Sequence, residues 1–307
     1  IAERHWGGDH NLCLRREQFA LDPTISGSWF NPTRPGEGFS LMLLDSGVPL
    51  TYWFSHVSYN RQLWLLNSGA AFESHALFEP ALRTRGRFGL GFDNAGVPLS
   101  RGADVRMDRI ESSRLHVELS IDYRFEDVLP PGAVISLPYP IPDVGVRSDH
   151  LQLSRLAGTT CENQRPTQWM SGAWFDPERI GEGFVVEVIE DGRGVVYWFT
   201  YTHTDEDREP FQSSGEGRWG DWQAWMTGDG QIVGNTLTID PLLRPVDTEG
   251  MMPFDIDGVV NQPIGRLELH FDDDLNGSMD FTSTSPDFPS LSHPIERLAR
   301  PMLAECD

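Results

Sequence analysis

The sequence predicts an all-β protein built from two tandem, homologous antiparallel β modules, each a small barrel or sandwich. Residues 26–56 align without a gap on residues 171–201, so one unit is present twice. Within the repeated stretches apolar side chains recur at every second position, the period of a strand with one buried face. Thirty glycines and 22 prolines supply turns, and no stretch of a dozen residues carries a helical period.

The modules divide the chain into an N-terminal segment (1–24), a first module (25–161) and a second (162–307) with an acidic loop near 202–222. Each opens on a tryptophan, Trp29 in GSWF and Trp174 in GAWF, followed by the shared turn GEGF at 36–39 and 181–184. Phe39, Leu41 and Leu43 match Phe184, Val186 and Val188 as the buried face of the next strand. DSGVP and EDGRG are turn chemistry leading into the aromatic strands TYWFSH and VYWFTY. A second gapless block pairs 64–83 with 225–244, and a third pairs Arg114-Leu115 with Arg266-Leu267. GRFGLGF, RLHVELSIDY, RLELHF and SMDFTS read as further strands, with Asn276-Gly277 as a hairpin turn. HPIERLARPML reads as a short helix, and Arg155-Leu156-Ala157 echoes Arg297-Leu298-Ala299 near the module ends. Between Tyr201 and Trp225 the second repeat carries 16 residues more than the first does between His56 and Trp64. Specialisation lives in loops on a fixed scaffold, so this acidic, glycine-rich insertion is the first place to look for function.

Forty-six acidic against 24 basic residues give a formal charge of −22. Such a chain repels phosphate backbones and anionic lipid, which argues against nucleic-acid partners and membrane insertion. The start IAERHWGGDH carries no initiator methionine and reads as neither a signal nor a transit peptide, which fits a chain whose leader has been removed. A secreted, periplasmic or cell-surface location is expected. The three cysteines have no C-x-x-C spacing, which excludes thiol redox motifs and cysteine zinc knuckles. Cys13, Cys161 and Cys306 instead fall before, between and after the repeats. In an oxidising compartment one pair closes and one thiol is left over, available to another chain; buried free thiols are the alternative.

The pattern G-x-W-[FY]-[ND]-P-x-R-x-G-E-G-F followed by YWF, present in both halves, resembles a repeat of uncharacterised exported proteobacterial proteins. That resemblance implies export but no settled activity. The opening G-x-W, Gly27 to Trp29 and Gly172 to Trp174, is also similar to the start of lipocalin and avidin barrels, which implies a ligand held in a barrel.

Several residue groups are candidates for chemistry. Glu37 and Glu182 of GEGF are either acid–base groups or surface residues beside Arg34 and Arg179, on turns the glycines permit. The architectural reading is preferred, because no partner of opposed role recurs in both repeats. GEGRWG (215–220) matches the letters of a dinucleotide fingerprint but lacks its strand–helix context. DDDLNGSMD offers calcium the oxygens of Asp272, Asp274, Asn276 and Asp280, yet the twelfth position is Ser283 where an EF-hand places glutamate. The flanking strand patterns make a hairpin tip the better explanation. His5, Asp9, His10 and Cys13 lie close in sequence with ligand chemistry. Trp53, Trp198 and Tyr201 on the aromatic strands, with Trp219 and Trp222 of the acidic loop, form a candidate stacking surface for sugars or a small ligand, although core packing is the preferred reading of Trp53 and Trp198.

These readings converge on an exported, non-enzymatic binding or assembly protein with no required cofactor, calcium aside. Its expected partners are other copies of itself, associating head-to-tail, or an extracellular protein or glycan. A carbohydrate- or small-ligand-binding module is the alternative. A hydrolase or lyase using Glu182 and the acidic loop is the second.

Overall fold

The computed structural model describes residues 22–32, 36–57, 61–71, 75–78, 82–87, 91–98, 104–111, 113–121, 147–158, 167–189, 192–202, 223–247 and 258–302. In the first module the strands are β1 (Gly27–Phe30), β2 (Gly38–Leu43), β3 (Pro49–Val57), β4 (Arg61–Ala71), β5 (His75–Phe78), β6 (Leu82–Arg87), β7 (Gly91–Pro98), β8 (Asp104–Glu111), β9 (Arg114–Ile121) and β10 (Arg147–Ala157). The second has β11 (Gly172–Phe175), β12 (Gly183–Val188), β13 (Arg193–Tyr201), β14 (Gln223–Val233), β15 (Thr236–Asp247), β16 (Val259–Phe271), β17 (Asn276–Ser283) and β18 (Leu291–Ala299).

Both modules are eight-stranded antiparallel closed barrels. β11 to β18 run in sequence order, and β18 returns to pair with β11. The first barrel runs β1-β2-β3-β4-β5-β8-β9-β10 and closes through β10 on β1, with the β6–β7 hairpin attached to β4 at Leu66↔Leu82. The second barrel keeps that hairpin as the outer halves of β15 and β16, from Leu242↔Gly265 to Asp247↔Val259. Closure gives each of the eight strands in either barrel a neighbour on both sides, and only the β6–β7 hairpin ends the first sheet at an edge among the described residues.

The shared letters have shared physical reasons. Trp29 and Trp174 are fully buried, and their indole N–H groups donate to Ile25 O (3.0 Å) and Met170 O (2.9 Å) of two 3-10 turns, Pro23–Ile25 and Gln168–Met170. Each turn plugs one end of its barrel with a buried apolar side chain, Ile25 or Met170. An arginine from the last strand locks the arrangement. Arg155 lies 5.5 Å over the Trp29 ring and donates to Thr24 O (2.6 Å) and Ser26 O (2.9 Å). Arg297 lies 4.1 Å over Trp174 and donates to Ser171 O (2.8 Å) and Trp169 O. The first and last strands press so closely that a Cβ at Gly27 would lie 2.2 Å from Ala157 O, and one at Gly172 would lie 2.4 Å from Ala299 O.

GEGF is likewise architecture. Gly36 and Gly181 hold φ of 87° and 96°, a region that favours glycine. Gly38 and Gly183 admit a crossing backbone, since a Cβ at either would come within 2.7 Å of the carbonyl of Trp29 or Trp174. The glutamates between them are buried rather than at the surface, contrary to the expectation; Glu182 is held by Thr200, two residues along β13 from the inward-facing Trp198.

Three further readings are corrected. HPIERLARPML contributes strand β18, not a helix; its alternation buries Ile295, and pairing to both β17 and β11 overrides local helix preference. The turn before β17 is 272–275, where Asp273 Oδ1 accepts from the N–H groups of Leu275 (2.8 Å) and Asn276 (2.7 Å), so Asn276-Gly277 lies at the start of the strand. The third repeat block fails as well. Arg114-Leu115 lies in β9, the seventh barrel strand, and Arg266-Leu267 lies in β16, the sixth. Register makes Met107 of β8 the counterpart of Leu269, because each faces the partner of the fifth strand, Ala76 or Leu237.

The barrels pack on each other through outward faces related by an approximate two-fold axis. Trp53 and Trp198 point into their barrels, which leaves Tyr52, Phe54, Tyr197 and Phe199 for the interface. Tyr52 stacks on Phe199 with centroids 4.8 Å apart, and Tyr197 stacks on Phe54 at 5.0 Å. Phe54 meets Trp225 at 5.0 Å, as Phe199 meets Trp64 at 5.6 Å. Gln62 Nε2 donates to Trp225 O (2.7 Å) while Gln62 Oε1 accepts from Trp225 N (3.3 Å). Its counterpart Gln223 accepts from Trp64 N (3.2 Å). The chain beyond β18 clasps the first barrel, with Met302 N donating to Leu43 O (2.6 Å).

Candidate functional site at the mouth of the second barrel

The strand order gives each end of the second barrel a different character. The plugged end carries the short connections 189–192, 234–235 and 272–275. The opposite end, its mouth, gathers the long ones: 176–182, 202–222, 248–258 and 284–290. Phe288 folds back from the last of these, buried in the core, with Arg244 5.3 Å over its ring. The space between the ends is filled by Trp174, Phe184, Trp198, Phe271 and Phe281. A ligand of this barrel is therefore met at the rim.

The rim holds a compact polar group. Asp176, first residue after β11, is buried; its Oδ1 accepts from Glu178 N (2.9 Å), and its carbonyl accepts from Arg179 N (2.9 Å). Its Oδ2 faces the Arg179 guanidinium at 3.4 Å and His293 Nδ1 at 3.2 Å. His293 Nδ1 also lies 3.1 Å from Pro294 O. Two acceptors at Nδ1 assign the proton there and leave Nε2 as the acceptor nitrogen. Burial pushes the His293 pKa down, with Arg179 acting in the same direction against the Pro294 carbonyl, Asp176 and Asp280, so the neutral ring is favoured. Beside this group Glu182 Oε2 accepts from Thr200 Oγ1 (2.9 Å), and the Tyr201 hydroxyl donates to Gly181 O (3.0 Å).

The first barrel lacks this chemistry at equivalent places. Asn31 stands where Asp176 does, and register from Arg155 and Arg297 puts Leu151 where His293 is. Scaffold is shared and the rim is not.

Of the sequence-derived candidates, Glu182 and the Tyr201 hydroxyl lie beside the rim group and the others fall elsewhere. Trp53 is buried against Phe39 (5.9 Å), Trp198 against Phe281 (5.1 Å), and Tyr201 against Trp64 (6.0 Å). None of the three presents a ring face to solvent, so they form no open stacking surface. Trp219, Trp222, the GEGRWG stretch, the His5–Cys13 group and Cys13, Cys161 and Cys306 lie outside the described residues. Asp272, Asp274, Asn276 and Asp280 do not converge as a calcium loop. Asp272 faces His270 (3.4 Å), Asp274 pairs with Arg300, Asn276 Nδ2 donates to Asp273 (3.0 Å), and Asp280 stands on β17 opposite Ser292. Among the described residues no three His, Cys, Asp or Glu side chains come together as a metal site requires.

Sequence reasoning missed Asp176 and His293. The Asn31-to-Asp176 difference is visible in the aligned block, but His293 was hidden in a stretch read as helix. No protein-family model, curated protein or solved structure matches this chain.

Proposed function

We propose that the chain is an exported, non-enzymatic binding protein in which the first barrel is a structural partner and the second binds at its mouth. The ligand class is a carbohydrate or other small polar molecule, met by the rim group and the acidic loop. One observation carries this reading: two barrels with the same plug, turns and core differ at the rim, where Asp176 and His293 replace Asn31 and Leu151. A buried carboxylate orienting a neutral imidazole supplies an acceptor nitrogen of fixed direction, the kind of group that positions a hydroxyl. The duplicated aromatic face is filled by the other barrel and offers no surface for further copies; head-to-tail association through cysteines would use Cys13, Cys161 and Cys306, which lie outside the described residues.

The test is a thermal-shift and glycan-array screen of the full chain beside a variant carrying the first barrel's residues, Asp176→Asn with His293→Leu. A ligand that raises the wild-type midpoint and leaves the variant's unmoved supports the reading. Equal binding by both proteins refutes it.

A further inference from the structure

The two-fold correspondence between the barrels breaks at three interface positions, the first of them Ser28, answered by Ala173. Met42 on β2 is answered on β12 by Glu187, and Ser40 by Val185. Glu187 is 7% exposed and is an acid in an interface whose buried cluster is aromatic and aliphatic. Its Oε1 accepts from Ser28 Oγ (2.7 Å) and Ser40 Oγ (3.0 Å), both belonging to the other barrel. Its Oε2 meets no donor, and the buried hydroxyl of Tyr197 on the adjacent strand lies beside Ser28. A narrow crevice lined by Ser26, Gly27, Ser171, Gly172 and Pro301 reaches the carboxyl where the plugged ends of the barrels meet.

Among the described residues no cation is dedicated to this acid. The charged group acting on it is Arg155, whose guanidinium is engaged on the carbonyls of Thr24 and Ser26 and over Trp29. The titratable group facing it is Tyr197; β1 and β2 contribute the two serine hydroxyls and Met42. A lone carboxylate held by two hydroxyls is poorly compensated in a low-dielectric seam, whereas a neutral acid is tolerated there.

We propose that Glu187 is a pH-sensitive latch between the barrels, holding them together while protonated and loosening them when it ionises. Burial raises its pKa above the ordinary 4.5, opposed by the Ser28 and Ser40 hydroxyls and Arg155. Between 4.5 and the raised value the packed state binds more protons than the separated state, so inter-barrel stability is fully present below that window and declines as pH rises through it. Tyr197 stays neutral throughout: burial chiefly, and the charge of Glu187, push its pKa above 10.

The experiment is hydrogen–deuterium exchange on the full-length protein from pH 4.5 to 8.5, corrected for intrinsic exchange, following peptides over 38–57 and 183–201. Wild-type protection of these peptides is expected to fall by about tenfold for each pH unit of raised pKa crossed, while Glu187→Gln holds its protection. If the glutamine variant does not fold, Glu187→Met, the residue found at Met42, is read in the same way. Profiles for wild type and variant that run parallel across the range overturn the proposal.

Discussion

Gln62 is the sharpest test of the two-fold interface. Replacing it with alanine deletes the bond from its Nε2 to Trp225 O (2.7 Å) and the one its Oε1 accepts from Trp225 N (3.3 Å). Gln62 and Trp225 are both buried, so a carbonyl and an N–H are left facing a dry seam. Orphaning a buried polar group costs about 1–3 kcal/mol, which puts Gln62→Ala, with two groups orphaned, at about 2–6 kcal/mol. The third bond, from Arg244 Nε (3.0 Å), is part-buried, and the arginine can turn to water, so it adds little. Gln223→Ala orphans one group that the structure identifies, the N–H of Trp64, and costs about 1–3 kcal/mol. Urea unfolding followed by tryptophan fluorescence measures both. A Gln62→Ala cost below about 0.5 kcal/mol, or a larger loss for Gln223→Ala, would refute the claim that these glutamines join the barrels.

Arg297→Ala is expected to destabilise by about 2–3 kcal/mol in the same assay, through loss of its carbonyl bonds and its contact with Trp174. An unchanged midpoint would show the plug holds without it. Gly172→Ala places a methyl 2.4 Å from Ala299 O at a φ of 144°, and is expected to cost about 3 kcal/mol or more, read as a lowered thermal midpoint. His293 has a depressed pKa, so the folded state binds fewer protons than the unfolded below the ordinary 6.5. Wild type is expected to lose stability relative to His293→Leu as pH falls from 6.5 through the folded value, and a constant difference between their urea midpoints would contradict this.

Much of the architecture was legible because glycine and tryptophan report on shape. Gly27 and Gly172 are required by the close approach of the first and last strands, and Trp29 and Trp174 by the plugged end, so these letters survive in both copies. β18 was misread because Ile295, Leu298 and the charged residues between them fit either period over so short a run, and only closure against β11 decides. The interface was illegible for a related reason. Met42, Tyr52 and Glu187 lie on what reads as the mixed, outer face of a strand, and nothing local says that another barrel covers it. The rim group was split across 117 positions between Asp176 and His293, a separation that no motif spans.

The fused, self-facing pair of barrels has a consequence for what each copy can carry. In an assembly of two identical chains any new side chain beside the axis enters twice, and an acid at the position of Glu187 would confront its own twin. Joined in one chain, the copies face each other as Glu187 and Met42, which border the same crevice. Covalent linkage thus lets the seam hold a single acid without a second opposing it, and lets one rim acquire chemistry that the other never shares.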